Sequence, residues 1–76
     1  MTVGVEIEYC VPCGHLTRAI ETQREILERF GRQIDGVYLK TGHGGVFTIR
    51  VDGDEIYNNT MGYDLDQIIA DIKERN

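Results

Sequence analysis

The chain has 76 residues, 41% of them hydrophobic and 28% charged, and a formal net charge of −5 at pH 7. These values indicate one small globular domain over residues 1–76, and the acidic balance excludes a basic surface for nucleic-acid binding. No apolar run approaches the roughly 20 residues that cross a bilayer, and no secretory pattern is visible, so we expect a cytoplasmic protein without membrane or nucleic-acid partners.

The first predicted element is a strand over residues 2–9, followed by a motif that holds both cysteines. Apolar residues occupy every second position of the strand, at Val3, Val5, Ile7 and Tyr9. This period is typical of a β-strand with one packed face. The motif is Cys10-Val11-Pro12-Cys13. Because proline suits the first position of a helix, we place Pro12 there.

A helix is predicted from Pro12 to about Phe30, with Gly31 as its C-terminal stop. Apolar spacing of three and four predicts its buried face, formed by Leu16, Ile20, Gln23, Ile26, Leu27 and Phe30. Opposite charges four residues apart predict two exposed ion pairs, Glu25–Arg29 and Glu28–Arg32. This charged side is typical of a solvated face and not of a binding site.

The next strand and the turn after it complete a strand–helix–strand unit. The strand is predicted over Ile34–Lys40, and a crossover of this kind implies two parallel strands. Residues 41–45 form a glycine-rich turn, Thr-Gly-His-Gly-Gly. Because this turn leads into a strand and not a helix, it lacks the ordered N–H groups of a phosphate-binding loop. We expect it close to the cysteines, either as a structural turn or with His43 adjusting the thiols or contacting a substrate.

Asp52-Gly53 predicts a two-residue turn between two antiparallel strands. The strands are residues 46–51 and 54–58, whose side chains alternate between apolar and polar. The register that this turn imposes predicts one apolar pair and one ion pair on opposite faces, Ile49–Ile56 and Arg50–Glu55.

A final helix is predicted after Asp64, which suits an N-cap and has Gln67 three residues on. Its buried stripe comprises Leu65, Ile68, Ile69 and Ile72. The element order is therefore β-α-β-β-β-α, which predicts an α/β protein with a mixed four-stranded sheet covered by two helices. This is the arrangement of a minimal thioredoxin-like domain.

Cys10 and Cys13 are predicted where the first strand ends and the first helix begins. The unpaired N–H groups of a helix N-terminus favour a nearby thiolate. A CxxC at this junction predicts a thiol–disulfide pair with both cysteines as catalytic residues. Two alternatives stay open: buried, unreactive thiols, or zinc, for which His15 and His43 are the other candidate ligands at an unusual spacing. We expect no metal.

Two flanking features bear on the reactivity of the thiols. Glu6 and Glu8 lie close in sequence, and their carboxylates would oppose thiolate formation if they approached the sulfurs. The intervening Val11-Pro12 adds no cation. CxxC proteins span about −270 to −120 mV, and we expect a reduction potential in the reducing half of that range.

Further motifs accompany the CxxC along nearly the whole chain. They are Gly45-Val46-Phe47-Thr48-Ile49 at the third strand, Asp52-Gly53 at the hairpin and Gly62-Tyr63 before the last helix. With Tyr9-Cys10-Val11-Pro12-Cys13, this set resembles the Rdx family of selenoprotein W-like (SelW/SelT/SelH-type) proteins, in particular a short prokaryotic cysteine-containing member. The resemblance implies a thioredoxin-like fold, cytosolic redox activity often linked to glutathione, and docking on partner proteins.

The resemblance also bears on which cysteine attacks a substrate. Selenocysteine members place selenium at the position of Cys13, so this chain is expected to be a weaker nucleophile and Cys13 is favoured as the attacking group. The helix entrance favours Cys10, as in thioredoxins, and both assignments stay open. Thioredoxins also carry a cis-proline before the third strand, whereas residues 41–45 contain no proline.

We therefore predict a small cytosolic thiol–disulfide redox protein that acts on oxidised proteins or low-molecular-weight thiol substrates. Pro12 and His43 are assigned to substrate binding. No bound cofactor is expected, and glutathione is the candidate electron donor. The alternative is a redox-switched interaction module that changes its affinity for a partner protein without turnover. A core of this size predicts a monomer or a weak dimer.

Overall fold

The computed structural model describes residues 3–75 and confirms the predicted order of elements. The elements are β1 Val3–Cys10, α1 Leu16–Phe30, a 3₁₀ turn Gly31–Gln33, β2 Ile34–Gly42, β3 Phe47–Val51, β4 Asp54–Tyr57 and α2 Leu65–Arg75. Thr2, the first residue of the predicted first strand, lies outside the described residues. No helix within residues 3–75 is long and apolar enough to cross a membrane.

The four strands form one mixed sheet in the order β2-β1-β3-β4. β1 runs parallel to β2 and antiparallel to β3, and β3 runs antiparallel to β4. These directions place the ends of β1 and β2, turn 43–46 and loop 58–64 at one end of the sheet, called here the upper end. The 3₁₀ turn and the hairpin at Asp52-Gly53 lie at the lower end.

Both helices cover the same face of the sheet. The predicted inward residues of β1 are all buried, and they share one core with residues of β3, α1 and α2. From the helices this core takes Ala19, Ile26, Phe30, Ile68, Ile69 and Ile72. The protein is therefore a two-layer structure, and the opposite face of the sheet carries polar side chains such as Glu6, Glu8 and Arg50.

The start of α1 differs from the prediction. The helix begins at Leu16, and Pro12 lies in a turn before it and not at the first helical position. Gly14 adopts φ +81°, outside the helical region, so the backbone of residues 11–14 cannot join the helix. The His15 N–H bonds the Cys10 carbonyl at 3.3 Å, which closes this turn. The predicted end is confirmed: Gly31 adopts φ +51° and donates its N–H to the Leu27 carbonyl.

The buried face of α1 was predicted only in part. Ile26 and Phe30 are buried, but Leu16, Ile20 and Leu27 are exposed, Ile20 by 47%. In their place, Ala19 and Thr22 face the core, each 0% exposed. Thr22 is tolerated there because its hydroxyl is hydrogen-bonded to the Arg18 carbonyl and the Tyr63 hydroxyl, both at 2.7 Å. On the solvated face the pairs are Glu25–Arg29, as predicted, and Arg24–Glu28 in place of Glu28–Arg32.

The predicted hairpin turn is confirmed, but one strand contact of the hairpin is not. Asp52 and Gly53 both adopt positive φ, 51° and 89°, as a two-residue turn of this type requires. A register shift between Ile49 and Arg50 puts Ile49 opposite Tyr57 and not Ile56. The extra residue of a β-bulge produces such a shift, and a hydrophobic pattern does not reveal it.

Arg50 lies opposite Glu55, as predicted, yet forms its ion pairs elsewhere. Its guanidinium binds Glu6 at 2.7 Å and Glu8 at 3.1 Å, both on the adjacent strand β1. Desolvation alone would lower the pKa of Arg50, but the hydrogen bonds that it donates to Glu8 and Glu6, with the attraction of both carboxylates, outweigh this and raise that pKa. Arg50 therefore holds together two carboxylates that would otherwise repel each other on neighbouring positions of one face.

α2 begins as predicted. The Asp64 carboxylate accepts a hydrogen bond from the Gln67 N–H at 3.2 Å, which is the expected N-cap. The Gln67 side chain does not return to Asp64 but donates to Asp71 at 3.1 Å, so the reciprocal capping box is absent. The stripe of isoleucines is buried as predicted.

Candidate redox site

Cys10 and Cys13 form a disulfide at the upper end of the sheet. Cys10 is the last residue of β1, Cys13 belongs to the turn before α1, and their Cα atoms are 5.4 Å apart. Cys10 is only 2% exposed, whereas Cys13 is exposed to solvent. The two cysteines therefore differ in exposure, and Cys13 is the one that a molecule arriving from solvent reaches more readily.

Turn 43–46 lies next to Cys10, as expected, but it begins two residues later than the predicted turn 41–45 because β2 continues to Gly42 in its parallel pairing with β1. The Cys10 N–H bonds the Val46 carbonyl at 2.8 Å, and Cys10 lies beside Gly42 in the parallel pairing. Gly42 allows this approach because a Cβ there would lie 2.6 Å from Val46 Cγ1 and 2.9 Å from Glu8 Oε2. The turn is thus a packed part of the site.

His43 and Pro12 are both placed at this end of the molecule. Each is exposed, His43 in the glycine-rich turn and Pro12 between the two cysteines. Among residues 3–75 the structure records no hydrogen bond or ring contact from the His43 imidazole. The structure therefore places His43 at the end of the sheet that holds the disulfide, as an exposed residue.

The acidic residues of β1 are engaged by a cation. Glu6 and Glu8 both bind Arg50 on the uncovered face of the sheet. The first turn of α1 carries no acidic residue, and His15 at its N-cap provides no side-chain hydrogen bond to it. These carboxylates are therefore paired with Arg50, which weakens any repulsion between them and a thiolate.

An aromatic cluster, formed by Phe47, His15, Tyr57 and Tyr63, packs next to the CxxC turn. Phe47 pairs with Tyr9 in the sheet, and its ring makes edge-on contacts with His15, Tyr57 and Tyr63, with centroids 5.7, 5.9 and 6.3 Å away. Burial raises the pKa of the Tyr57 phenol, with Arg18 acting in the opposite direction. The cluster ties the CxxC turn to loop 58–64.

Arg18 belongs to this cluster and was not singled out from the sequence. Its guanidinium carbon lies 4.9 Å from the ring centre of Tyr63 and 5.9 Å from that of Phe47. Both distances lie within the range of cation–π contacts. Arg18 occupies the first turn of α1, one turn beyond the disulfide. An arginine in a helix is ordinarily a solvated residue. Arg18 differs from the other arginines of α1 only because the fold brings the Tyr63 ring to it.

The part of the chain that the structure describes contains no group of three or more His, Cys, Asp or Glu side chains arranged to hold a metal ion. His15 packs on the Phe47 ring, while His43 lies in turn 43–46. The two histidines are therefore held in separate segments and do not form a metal-binding group with the cysteines among the described residues.

A CxxC disulfide at the strand-to-helix junction of a β-α-β-β-β-α sheet defines a protein of the thioredoxin-like class. A thioredoxin-like protein from Bacillus cereus has a similar structure, with a TM-score of 0.64 over 99% of this chain and 90% of that one, at 14% sequence identity. The sequence model of the Rdx family matches residues 4–73. The chain belongs to the Rdx family.

Two crystal structures are more similar still. A protein of Bordetella parapertussis superimposes with a TM-score of 0.93 over 100% of both chains, at 25% identity. A selenoprotein W-related protein from Vibrio cholerae does so with the same TM-score, over 99% of this chain and 98% of that one, at 23% identity. No curated protein matches the sequence.

Proposed function

We propose that the chain is a thiol–disulfide redox protein in which Cys10 and Cys13 alternate between a dithiol and a disulfide. The observation that carries this proposal is the pairing of two cysteines, Cys13 exposed and Cys10 buried, just before α1. Membership of the Rdx family and the thioredoxin-like fold support the same chemistry. Such chemistry operates where thiols are kept reduced, which fits a cytoplasmic protein.

The reaction proceeds in two exchanges. The thiolate of Cys13 attacks one sulfur of a substrate disulfide, which breaks the substrate S–S bond and releases one thiolate that takes up a proton. The thiolate of Cys10 then attacks the Cys13 sulfur of the mixed disulfide, and the second substrate thiol leaves with a proton. Two electrons pass from the protein to the substrate, and the protein ends as the disulfide.

The reverse sequence restores the dithiol. Two equivalents of a low-molecular-weight thiol, for which glutathione is our candidate, reduce the protein and are themselves oxidised to one disulfide. No bound cofactor takes part, because both electrons reside on the sulfurs. The substrates are disulfides of oxidised proteins or of small thiols.

Equilibration in graded glutathione buffers, with free thiols counted after alkylation, tests the couple directly. We expect one two-electron transition between Cys10–Cys13 disulfide and dithiol, at a potential in the reducing half of about −270 to −120 mV. A Cys10→Ser protein serves as the control and yields no intramolecular disulfide. If no disulfide formed at any poise in the unaltered protein, the redox function would be excluded.

A second candidate function rests on exposed apolar side chains around the disulfide. Val11 and Leu16 flank Cys13, and Met61 in loop 58–64 lies at the same end of the molecule. Such a surface favours docking of a partner protein, whose affinity would change with the redox state while no turnover occurs. Steady-state reduction of a model disulfide separates the two functions, since a switch gives redox-dependent binding of the partner with negligible turnover.

His43 is the residue of turn 43–46 that we assign to substrate contact, together with Pro12 between the cysteines. His43→Ala is expected to lower the rate of disulfide reduction by about fivefold, the equivalent of one hydrogen bond of ~1 kcal/mol. Thr41→Ala, at an exposed position next to the turn, is the matched control. Unchanged thiol pKa and turnover in His43→Ala would remove His43 from the site.

A further inference from the structure

Arg18, on the first turn of α1, has no carboxylate partner among residues 3–75. The ion pairs within residues 3–75 engage Arg24, Arg29, Arg50 and Arg75, and none of them includes Arg18. Its side chain is exposed, yet it is held against the rings of Tyr63 and Phe47. A cation–π contact leaves the five N–H donors of a guanidinium available to a planar acceptor such as a carboxylate.

The Arg18 guanidinium contacts a tyrosine, Tyr63, that is itself anchored to buried residues of the core. Tyr63 is held by its hydroxyl, which is hydrogen-bonded to the buried Thr22 at 2.7 Å, and by edge-on packing on Phe47 and Tyr57. Arg18 therefore rests on an ordered platform, so that less side-chain freedom is lost when it binds a ligand.

The platform and the disulfide are continuous at the upper end of the sheet. The His15 ring contacts Phe47, and the His15 N–H bonds the Cys10 carbonyl at 3.3 Å. Arg18 follows His15 by three residues, on the first turn of α1. Arg18 therefore lies five residues after Cys13, at the same end of the sheet as the disulfide.

We propose that Arg18 binds a carboxylate of the substrate while Cys13 exchanges with its disulfide, so that the protein selects disulfides whose thiol halves carry carboxylates. This inference rests on the proposed function. Planar N–H groups match a carboxylate in a bidentate geometry that no lysine reproduces. The net charge of −5 repels anions at longer range. The attraction between Arg18 and a carboxylate acts only at short range and opposes this repulsion.

The test uses single-turnover oxidation of the reduced protein by three small disulfides that differ in charge. They are 3,3′-dithiodipropionate with two carboxylates, neutral bis(2-hydroxyethyl) disulfide, and cystamine with two ammonium groups. The reaction is stopped by alkylation, and the second-order rate constant is read by mass spectrometry. The observable is the rate ratio of the anionic to the neutral disulfide, because a general change in thiol reactivity cancels from it.

Arg18→Met is expected to lower this ratio by about five- to tenfold, through loss of a charge-assisted bidentate contact. Arg24→Met is the matched control: it removes the same charge from an exposed position of the same helix and is expected to change the ratio by less than about twofold. Arg18→Lys, which keeps the charge and loses the planar group, is expected to give an intermediate ratio. The effect shrinks in 1 M KCl.

Each outcome separates this inference from the proposed function. If the unaltered protein reduces none of the three disulfides, the redox function itself is lost. If it reduces them but Arg18→Met and Arg24→Met alter the ratio equally, carboxylate binding by Arg18 is overturned and the redox function stands. Near-ultraviolet circular dichroism of the tyrosines verifies that Arg18→Met keeps the aromatic cluster, and Arg18→Lys provides a second reading if it does not.

Discussion

Cys13→Ser is expected to abolish the reduction of disulfide substrates, whereas Cys10→Ser stops the same reaction one step later. Cys13 is exposed and Cys10 is 2% exposed, so the first attack falls to Cys13. Without that nucleophile the rate falls on the order of 10³-fold or more. With Cys10 replaced, the attack still occurs but the mixed disulfide has no internal thiol to resolve it.

Intact-mass spectrometry after reaction with a small disulfide distinguishes the two variants. Cys10→Ser is expected to gain the mass of one substrate half, and Cys13→Ser is expected to remain unmodified. The variants are controls for each other, since both lose the internal disulfide and hence share any structural effect of its absence. An adduct that accumulated on Cys13→Ser and not on Cys10→Ser would assign the attack to Cys10.

Phe47→Ala is expected to lower the free energy of unfolding by about 3–5 kcal/mol. The Phe47 ring is 1% exposed and packs on His15, Tyr57 and Tyr63, so its removal leaves a cavity between the sheet and the CxxC turn. A single core of this size supplies about 3–5 kcal/mol in total. A large share of the variant should therefore be unfolded at 25 °C.

Urea denaturation followed by far-ultraviolet circular dichroism, with the protein in its oxidised form, measures this loss. Phe47→Leu is the control, because it keeps most of the apolar volume and should cost less than about 1.5 kcal/mol. A loss below that value for Phe47→Ala would mean that the aromatic cluster contributes little to the fold. The Arg18 and Tyr63 platform would then be held by other contacts.

Local signals were enough to predict most of the framework. The alternation of β1, the Asp52-Gly53 turn and the Asp64 N-cap each depend on residues that are neighbours in the chain, and all three are present in the structure. The strand–helix–strand unit gave the parallel pairing of β1 with β2 because its geometry follows from chain connectivity.

The errors arose where distant residues decide the outcome. Thr22 ranks as polar, yet it is buried because Tyr63, far along the chain, satisfies its hydroxyl. Arg50 lies opposite Glu55 across the hairpin, but it forms its ion pairs with Glu6 and Glu8 of the neighbouring strand β1. One further error is local: Pro12 suits a helix start, but the positive φ of Gly14, two residues later, delays the helix to Leu16.

The candidate site was predicted to a similar degree. The cysteines were identifiable because CxxC spacing and the change of periodicity coincide in the sequence. Arg18 was not, since its distinction depends on the Tyr63 ring that loop 58–64 brings to it. Tyr63 belongs to the Gly62-Tyr63 motif, but no spacing rule connects that motif with the first turn of α1.

The two ends of the described chain offer places of attachment away from the reactive sulfurs. β1 starts at Val3 and α2 finishes at Arg75, which binds Asp54 beside the hairpin at 3.1 Å. Both ends therefore lie at the lower end of the sheet, opposite the disulfide. A fluorescent reporter attached there, or a tether to an electrode, would leave Cys13 open to solution, so that the proposed dithiol–disulfide couple could be read without blocking it.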